Sequence, residues 1–226
     1  MKIGVLGTGS VGQTIAARLA GFGHTVVMGT RDPAATLART EKDRFGNPPL
    51  VEWLAGREGV TLGTFEQAAA HGDLVVNATS GDVSLEVLRA AGEANLAGKV
   101  LVDIANPLDF SRGFPPSLSV CNTDSLAEQI QRAFPGARVV KTLNTVNASI
   151  MVEPGQVAGG EHTMFLCGND ASARATVRAL LESFGWRDIV DLGDITNARA
   201  TEMLLPIWVR LYALQKSPAF NFKLVR

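Results

Sequence analysis

The 226-residue sequence is poor in the side chains that most enzymes use to move protons or attack carbonyls: it has three histidines, two cysteines and one tyrosine. Neither Cys121 nor Cys167 has a second Cys or His at metal-ligand spacing, which excludes the common zinc and iron–sulfur motifs. Nothing else suggests an oxidising compartment, so a disulfide is not expected, and Cys167, inside the apolar run "TMFLCG", reads as a small core hydrophobe. Charge of one sign is also missing. The net charge is −1, so no broad basic face is available for nucleic acid or an anionic membrane. Apolar runs are short: "MLLPIWV" falls far below the roughly 20 residues a spanning helix needs. The amino end passes directly into "MKIGVLG", with no apolar signal region. The expectation is a soluble, cytoplasmic protein with no membrane insertion.

Glycine and β-branched residues are plentiful. Near-continuous apolar runs over 2–7, 24–29, 73–79, 99–106 and 138–144 suit strands covered on both faces, with a short strand at 60–62. Helical patterns lie between them: 11–22, 84–94 and 125–134, the last opened by the capping-box pair Ser125 and Glu128. The segment 30–59 holds one or two short helices broken at 47–49, and the Gly/Pro-rich stretch "LDFSRGFPPSLSV" reads as a loop or lid. Beyond residue 148 come a strand at 162–168, a helix over 170–184 capped by Asp170, a strand at 188–192 and a long helix over 196–215, kinked at Pro206. The alternation predicts an α/β fold: a Rossmann-type, doubly wound parallel sheet over 1–148, with a small C-terminal α/β lobe over 149–226.

The first βα turn carries Gly7-Thr8-Gly9-Ser10-Val11-Gly12, a G-x-G-x-x-G run. Alone it is a weak signal. Here a strand precedes it, an amphipathic helix follows and a second strand begins at the right distance, which is the context a dinucleotide site requires. Gly7 permits the tight turn, Gly9 leaves room for a pyrophosphate, and Gly12 lets helix and strand pack closely. The helix N-terminus offers unpaired N–H groups to phosphate. The second strand ends at Met28-Gly29-Thr30-Arg31. An NAD site usually has an acid at this corner; a neutral residue followed by Arg suits the 2′-phosphate of NADP, with Thr30 as an added hydroxyl donor. Asp32 would serve NAD instead if the strand ran further.

Ligands of such sheets sit outside the carboxyl ends of the strands, which proposes Thr79, Ser80, Asn106, Asn144, Thr145, Val146 and Asn147 as further cofactor-binding residues. The same residues also suit ordinary helix caps. None is an acid or base. His24, His71 and His162 all precede strands, which places at least the first two at the wrong end of the sheet, and Tyr212 cannot form a Tyr-x-x-x-Lys pair. No catalytic residue or metal ligand is therefore assigned. Lys141, inside an apolar strand, is a conceivable catalytic lysine or a packed one whose amine finds a carbonyl or solvent. Reducing a carbonyl calls for a proton donor, whereas passing hydride to a flavin-like ring asks mainly for alignment and dryness.

"KIGVLGTGSVGQTIAARLAGFGHTVVMGTRDP", "VVKTLNT" and "FLCGNDASARATVRALLESFGW" together resemble the coenzyme F420-dependent NADP oxidoreductases, and equally the cytosolic NADPH–flavin reductase domain of the six-transmembrane metalloreductases. The resemblance runs over nearly the whole chain. It implies NADP held by Thr8–Val11, Thr30 and Arg31, "LNTVN" near the nicotinamide, and coenzyme F420, FMN or FAD as acceptor. Two other readings stay open: an imine or 3-hydroxy acid reductase using Asn147 or Lys141, and a redox-sensing NADP-binding protein without turnover. The apolar C-terminal helix with Trp208 and Tyr212 suggests a homodimer, or a cover over the cleft within one chain.

Overall fold

The computed structural model describes residues 1–42 and 46–226. The first crossover unit comprises β1 (Lys2–Leu6), α1 (Ser10–Gly21), β2 (Thr25–Thr30), α2 (Pro33–Leu37), α3 (Leu50–Leu54), β3 (Val60–Thr64) and α4 (Phe65–His71). Next come β4 (Leu74–Asn77), α5 (Ser84–Ala91), α6 (Glu93–Leu96), β5 (Val100–Asp103), β6 (Leu108–Asp109), β7 (Ser117–Leu118), α7 (Leu126–Ala133) and β8 (Arg138–Thr142). The chain closes with α8 (Ala148–Val152), β9 (Thr163–Cys167), α9 (Ala171–Phe184), β10 (Asp188–Asp191), α10 (Ala198–Met203) and α11 (Leu205–Gln215). The helices expected in 30–59 are α2 and α3; residues 43–45 of that segment lie outside the described residues.

Eight strands form one sheet in the order β10-β9-β8-β5-β4-β1-β2-β3. The chain moves outward from β1 to β3, then returns to the other side of β1 at β4. That reversal opens a crevice at the carboxyl ends of β1 and β4, where α/β sheets bind ligands. The strands are buried on both faces, so successive residues serve opposite cores. Val5, Val76, Val102 and Val140 face the core under α1, α8 and α9, while Leu6, Val75, Leu101 and Val139 face the core under α4, α5 and α7. This two-sided burial is why the strands read as continuous apolar runs rather than alternating ones.

Four local expectations change. The β8–β9 pairing is antiparallel, with Lys141 opposite Cys167. Only the five-residue α8 and two short 3₁₀ turns lie between these strands, and a return crossover needs a longer element. The loop at 108–120 holds the two-residue strands β6 and β7, paired antiparallel, too short to carry a periodic pattern. The helix over 84–94 divides at Gly92, whose φ of 88° no helical residue adopts. The long terminal helix is two helices: α10 ends before Leu204 and Pro206 stands in the first turn of α11, where its missing N–H costs nothing. No helix among the described residues is long and apolar enough to cross a membrane.

Candidate functional site

Gly7 has φ of +112°, and a Cβ there would lie 2.6 Å from the Ala78 carbonyl oxygen, so the turn itself demands glycine. At Gly12 a Cβ would meet the Gly7 carbonyl oxygen at 2.2 Å; only glycine lets α1 start this close to β1. Gly9 is different. Nothing lies within 4 Å of the Cβ it lacks, so protein packing does not account for the missing side chain. The space above Gly9 and the amino end of α1 is open, no side chain caps that end and its first turn holds no acid. The Gln13 amide donates to the Thr8 carbonyl at 2.9 Å and steadies the turn. An uncapped helix N-terminus beneath an open glycine suits a pyrophosphate.

The second strand ends at Thr30, one residue later than expected, and Asp32 caps α2 by accepting from Ala35 N–H at 2.9 Å. Asp32 is thus occupied outside the strand. Thr36 spends its hydroxyl proton on the Asp32 carbonyl at 2.7 Å, so in its 2.9 Å contact with Thr36 the Thr30 hydroxyl is the donor. Thr30 therefore serves the α2 turn first. Arg31 is largely exposed and reaches Glu86 on α5 at 2.6 Å.

The remaining strand ends converge on one cavity of about 300 Å³, whose lining includes Ser10, Val11, Thr79, Ser80, Asn106, Asn144, Val146 and Asn147. Thr145 is buried and does not line it. Several polar groups also perform structural work. Asn144 donates to Asn106 Oδ1 at 3.0 Å and to the Thr201 carbonyl at 3.1 Å, while Asn106 donates back to the Asn144 carbonyl at 2.8 Å. This clasp follows Leu143, a buried residue with φ of 60° that turns the chain off β8. Asn147 caps α8 through Oδ1. Capping and cavity lining coexist in the same side chains.

Apolar lining comes from Phe110 of the β6–β7 hairpin, Met151 of α8, and Leu205 and Trp208 of α11; sequence reasoning missed Met151 and Leu205, whereas Phe110 lay in the expected loop or lid and Trp208 on the helix offered as a cover over the cleft. Trp208 is braced between Tyr212 and Phe220, at centroid distances of 5.7 and 5.2 Å. The α11 helix thus covers the cleft within the chain, while Ile207 and Leu214 on it stay exposed. Among the described residues no Asp, Glu, Lys, Arg, His, Cys or Tyr lines this cavity, and no cluster of His, Cys, Asp and Glu suits a metal ion. A larger groove of about 500 Å³ runs past Gln13, Arg18, Trp53 and Arg57, but α1 and α3 line it rather than strand ends.

Behind the cavity lies a buried polar network. The sheet register aligns Asn77, Asp103 and Lys141 across β4, β5 and β8. Lys141 is completely buried and donates to Asp103 Oδ2 and Glu202 Oε1, each at 2.9 Å, and to the Ala105 carbonyl. Its three donors are spent. Burial alone works against the ammonium charge, but Asp103 and Glu202 outweigh it and hold the Lys141 pKa above its ordinary value. Lys141 is a structural cation, not a free amine. Asn77 extends the network by donating to Asp103 at 2.9 Å and accepting from the Thr79 hydroxyl at 2.6 Å. Glu202 accepts from the N–H groups of Leu126 and Ala127, which ties α10 to the amino end of α7. Burial pushes the Cys167 thiol up to about 12, which removes it as a nucleophile. His162 is also buried, against Trp186 and hydrogen-bonded to the Pro154 carbonyl.

Known proteins are similar to this chain over most of its length. A protein of Arthrobacter sp. FB24 that bears the provisional name F420-dependent NADP-reductase is 59% identical, with 100% of both chains covered and a TM-score of 0.95. The F420-dependent NADP reductase of Methanocaldococcus jannaschii is 25% identical over 99% of this chain and 98% of its own. The metalloreductase STEAP3 of Rattus norvegicus is 29% identical over 92% of this chain, which spans only 38% of that protein's length. The family profile described as "NADP oxidoreductase coenzyme F420-dependent" matches residues 2–107, the part that contains the glycine turn, Arg31, Thr79 and Asn106. With full-length likeness at 59% identity and the family profile over its amino-terminal part, the chain belongs to the family of NADP oxidoreductases described as coenzyme F420-dependent.

Proposed function

We propose that the protein transfers hydride between NADPH and a deazaflavin or flavin: coenzyme F420, FMN or FAD. The observation that carries this reading is the cavity at the strand ends, whose lining mixes small polar and apolar side chains and is free of ionisable groups among the described residues. A carbonyl reductase must protonate an oxygen as hydride arrives; a transfer between two ring systems makes no such demand of the pocket.

The residues fit the coenzyme. Its diphosphate would lie over Gly9 and the amino end of α1, where Thr8, Ser10 and Val11 offer backbone N–H groups, and its 2′-phosphate beside Arg31. Thr79, Ser80, Asn106 and Asn147 would hold the ribose and carboxamide of the nicotinamide end. When bound, the coenzyme supplies the hydride. Val146, Met151, Leu205 and Trp208 form the walls that exclude water, and residues 149–226 contribute the last three of these. Under this reading the C-terminal part completes the acceptor pocket.

The test is NADPH oxidation across F420, FMN and FAD, with a small imine and a 3-oxo acid as comparisons. Turnover with one of the three ring acceptors is expected. Stoichiometric NADPH binding with no acceptor reduced would replace this reading with a sensor. Turnover of the imine or oxo acid without added flavin would replace it with the other reductase class.

A further inference from the structure

The guanidinium of Arg31 is already engaged. Its Nη2 donates to Glu86 Oε1 at 2.6 Å, across 55 residues of sequence. The side chains are 76% and 66% exposed, and among the described residues neither has another side-chain hydrogen bond or ion pair. Arg31 follows β2, and Glu86 stands in the first turn of α5, beyond the Thr79–Ser80 turn. Both line a cleft of about 170 Å³, together with Thr64, Phe65, Glu66, Val87 and Ala90. Phe65, Val87 and Ala90 give it apolar walls of a kind that suit a purine.

We infer that Glu86 is a specificity-determining residue of the coenzyme site: its carboxylate is an internal stand-in for the phosphate monoester, paired with Arg31 until a 2′-phosphate displaces it. The inference rests on Arg31 being the 2′-phosphate partner. A guanidinium takes carboxylate and phosphate through the same N–H donors. The phosphate carries the larger charge, about −1.5 to −2 against −1, so it wins Arg31. A carboxylate left beside it then repels it, and Glu66 adds a second negative group to the same cleft. With NADH, a 2′-hydroxyl has no charge to repel and can donate to Glu86. Glu86 thus lowers NADPH affinity selectively and narrows the preference that Arg31 alone would create.

Glu86→Gln keeps the size and removes the charge at an exposed position, so folding is not at risk. Coenzyme fluorescence titrations at low ionic strength read the outcome for NADPH and NADH. Glu86→Gln should bind NADPH about three- to tenfold more tightly, with NADH unchanged or weaker. In the Arg31→Ala background the gain should shrink to the part due to direct repulsion, because Glu86 then has no guanidinium to occupy. If Arg31→Ala loses NADPH selectively but Glu86→Gln leaves NADPH unchanged, weakens it, or raises both coenzymes equally, the role of Glu86 is refuted while that of Arg31 stands. If Arg31→Ala weakens both coenzymes equally, both assignments fall.

Discussion

Replacing Lys141 with Met tests whether the network behind the cavity is structural. Methionine has nearly the same length, so the loss is charge and three hydrogen bonds rather than volume. Two contacts of 2.9 Å disappear, and Asp103 and Glu202 are left buried with no cation between them. At an effective dielectric near 20, each close pair is worth roughly 4 kcal/mol, set against a desolvation cost of several kcal/mol per ion. The two carboxylates keep their backbone partners at Ala105, Leu126 and Ala127, so the network is broken only at its centre. The expected loss is about 3–5 kcal/mol, or a melting temperature lower by on the order of 10 °C. Urea denaturation of both proteins measures it. A deficit below about 1 kcal/mol would refute a charged triad. Below its melting temperature the variant should still bind NADPH; complete loss of turnover with intact fold and binding would revive Lys141 as a catalytic group.

Gly9→Ala and Gly12→Ala should separate folding from binding. The first meets nothing within 4 Å and should melt as the native protein does, yet bind NADPH at least tenfold more weakly; unimpaired titration would remove the diphosphate from this turn. The second drives a Cβ onto the Gly7 carbonyl and should lower stability by about 1–3 kcal/mol as well as binding. In acid, the two N–H donations from Arg132 lower the Asp124 pKa from 3.8 to about 2. A lowered carboxylate pKa stabilises above the unfolded value, so the stability difference between the native protein and Arg132→Ala should be constant above about pH 5 and collapse as pH falls from 4 to 2. Because Arg132 is mostly exposed, that difference should stay under about 1 kcal/mol; a difference that persists at pH 2 would show that Arg132 acts through packing instead.

What could be read from the chain was local, and what could not was assembled by the sheet. Apolar runs located the strands of the large sheet, and the G-x-G-x-x-G run marked the turn between β1 and α1, because both signals live within a dozen residues. Helix α4 went unassigned although its signal was present: Thr64 and Gln67 form a capping box visible as "TFEQ". The β6–β7 hairpin left no such trace, since two-residue strands have no period. The polar row Asn77, Asp103 and Lys141 becomes a row only once β4, β5 and β8 are known to be neighbours, and Glu202 reaches it from a helix that no pattern links to β8. Lys141 therefore read as either a catalyst or a packed lysine whose amine finds a carbonyl or solvent; it does meet the Ala105 carbonyl, and the two acids beside it were what the sequence could not reveal. Glu86 teaches the same lesson at the surface. In sequence it is an ordinary acid in the first turn of a helix, favourable to the dipole and otherwise silent. Arg31 in sequence has only its neighbour Asp32 as a nearby acid. Folding brings Arg31 and Glu86 within 2.6 Å, in a cleft that Glu66 also lines. Selectivity for a phosphorylated ribose then depends less on whether an arginine is present than on what the arginine must release, and that quantity exists only in the folded chain.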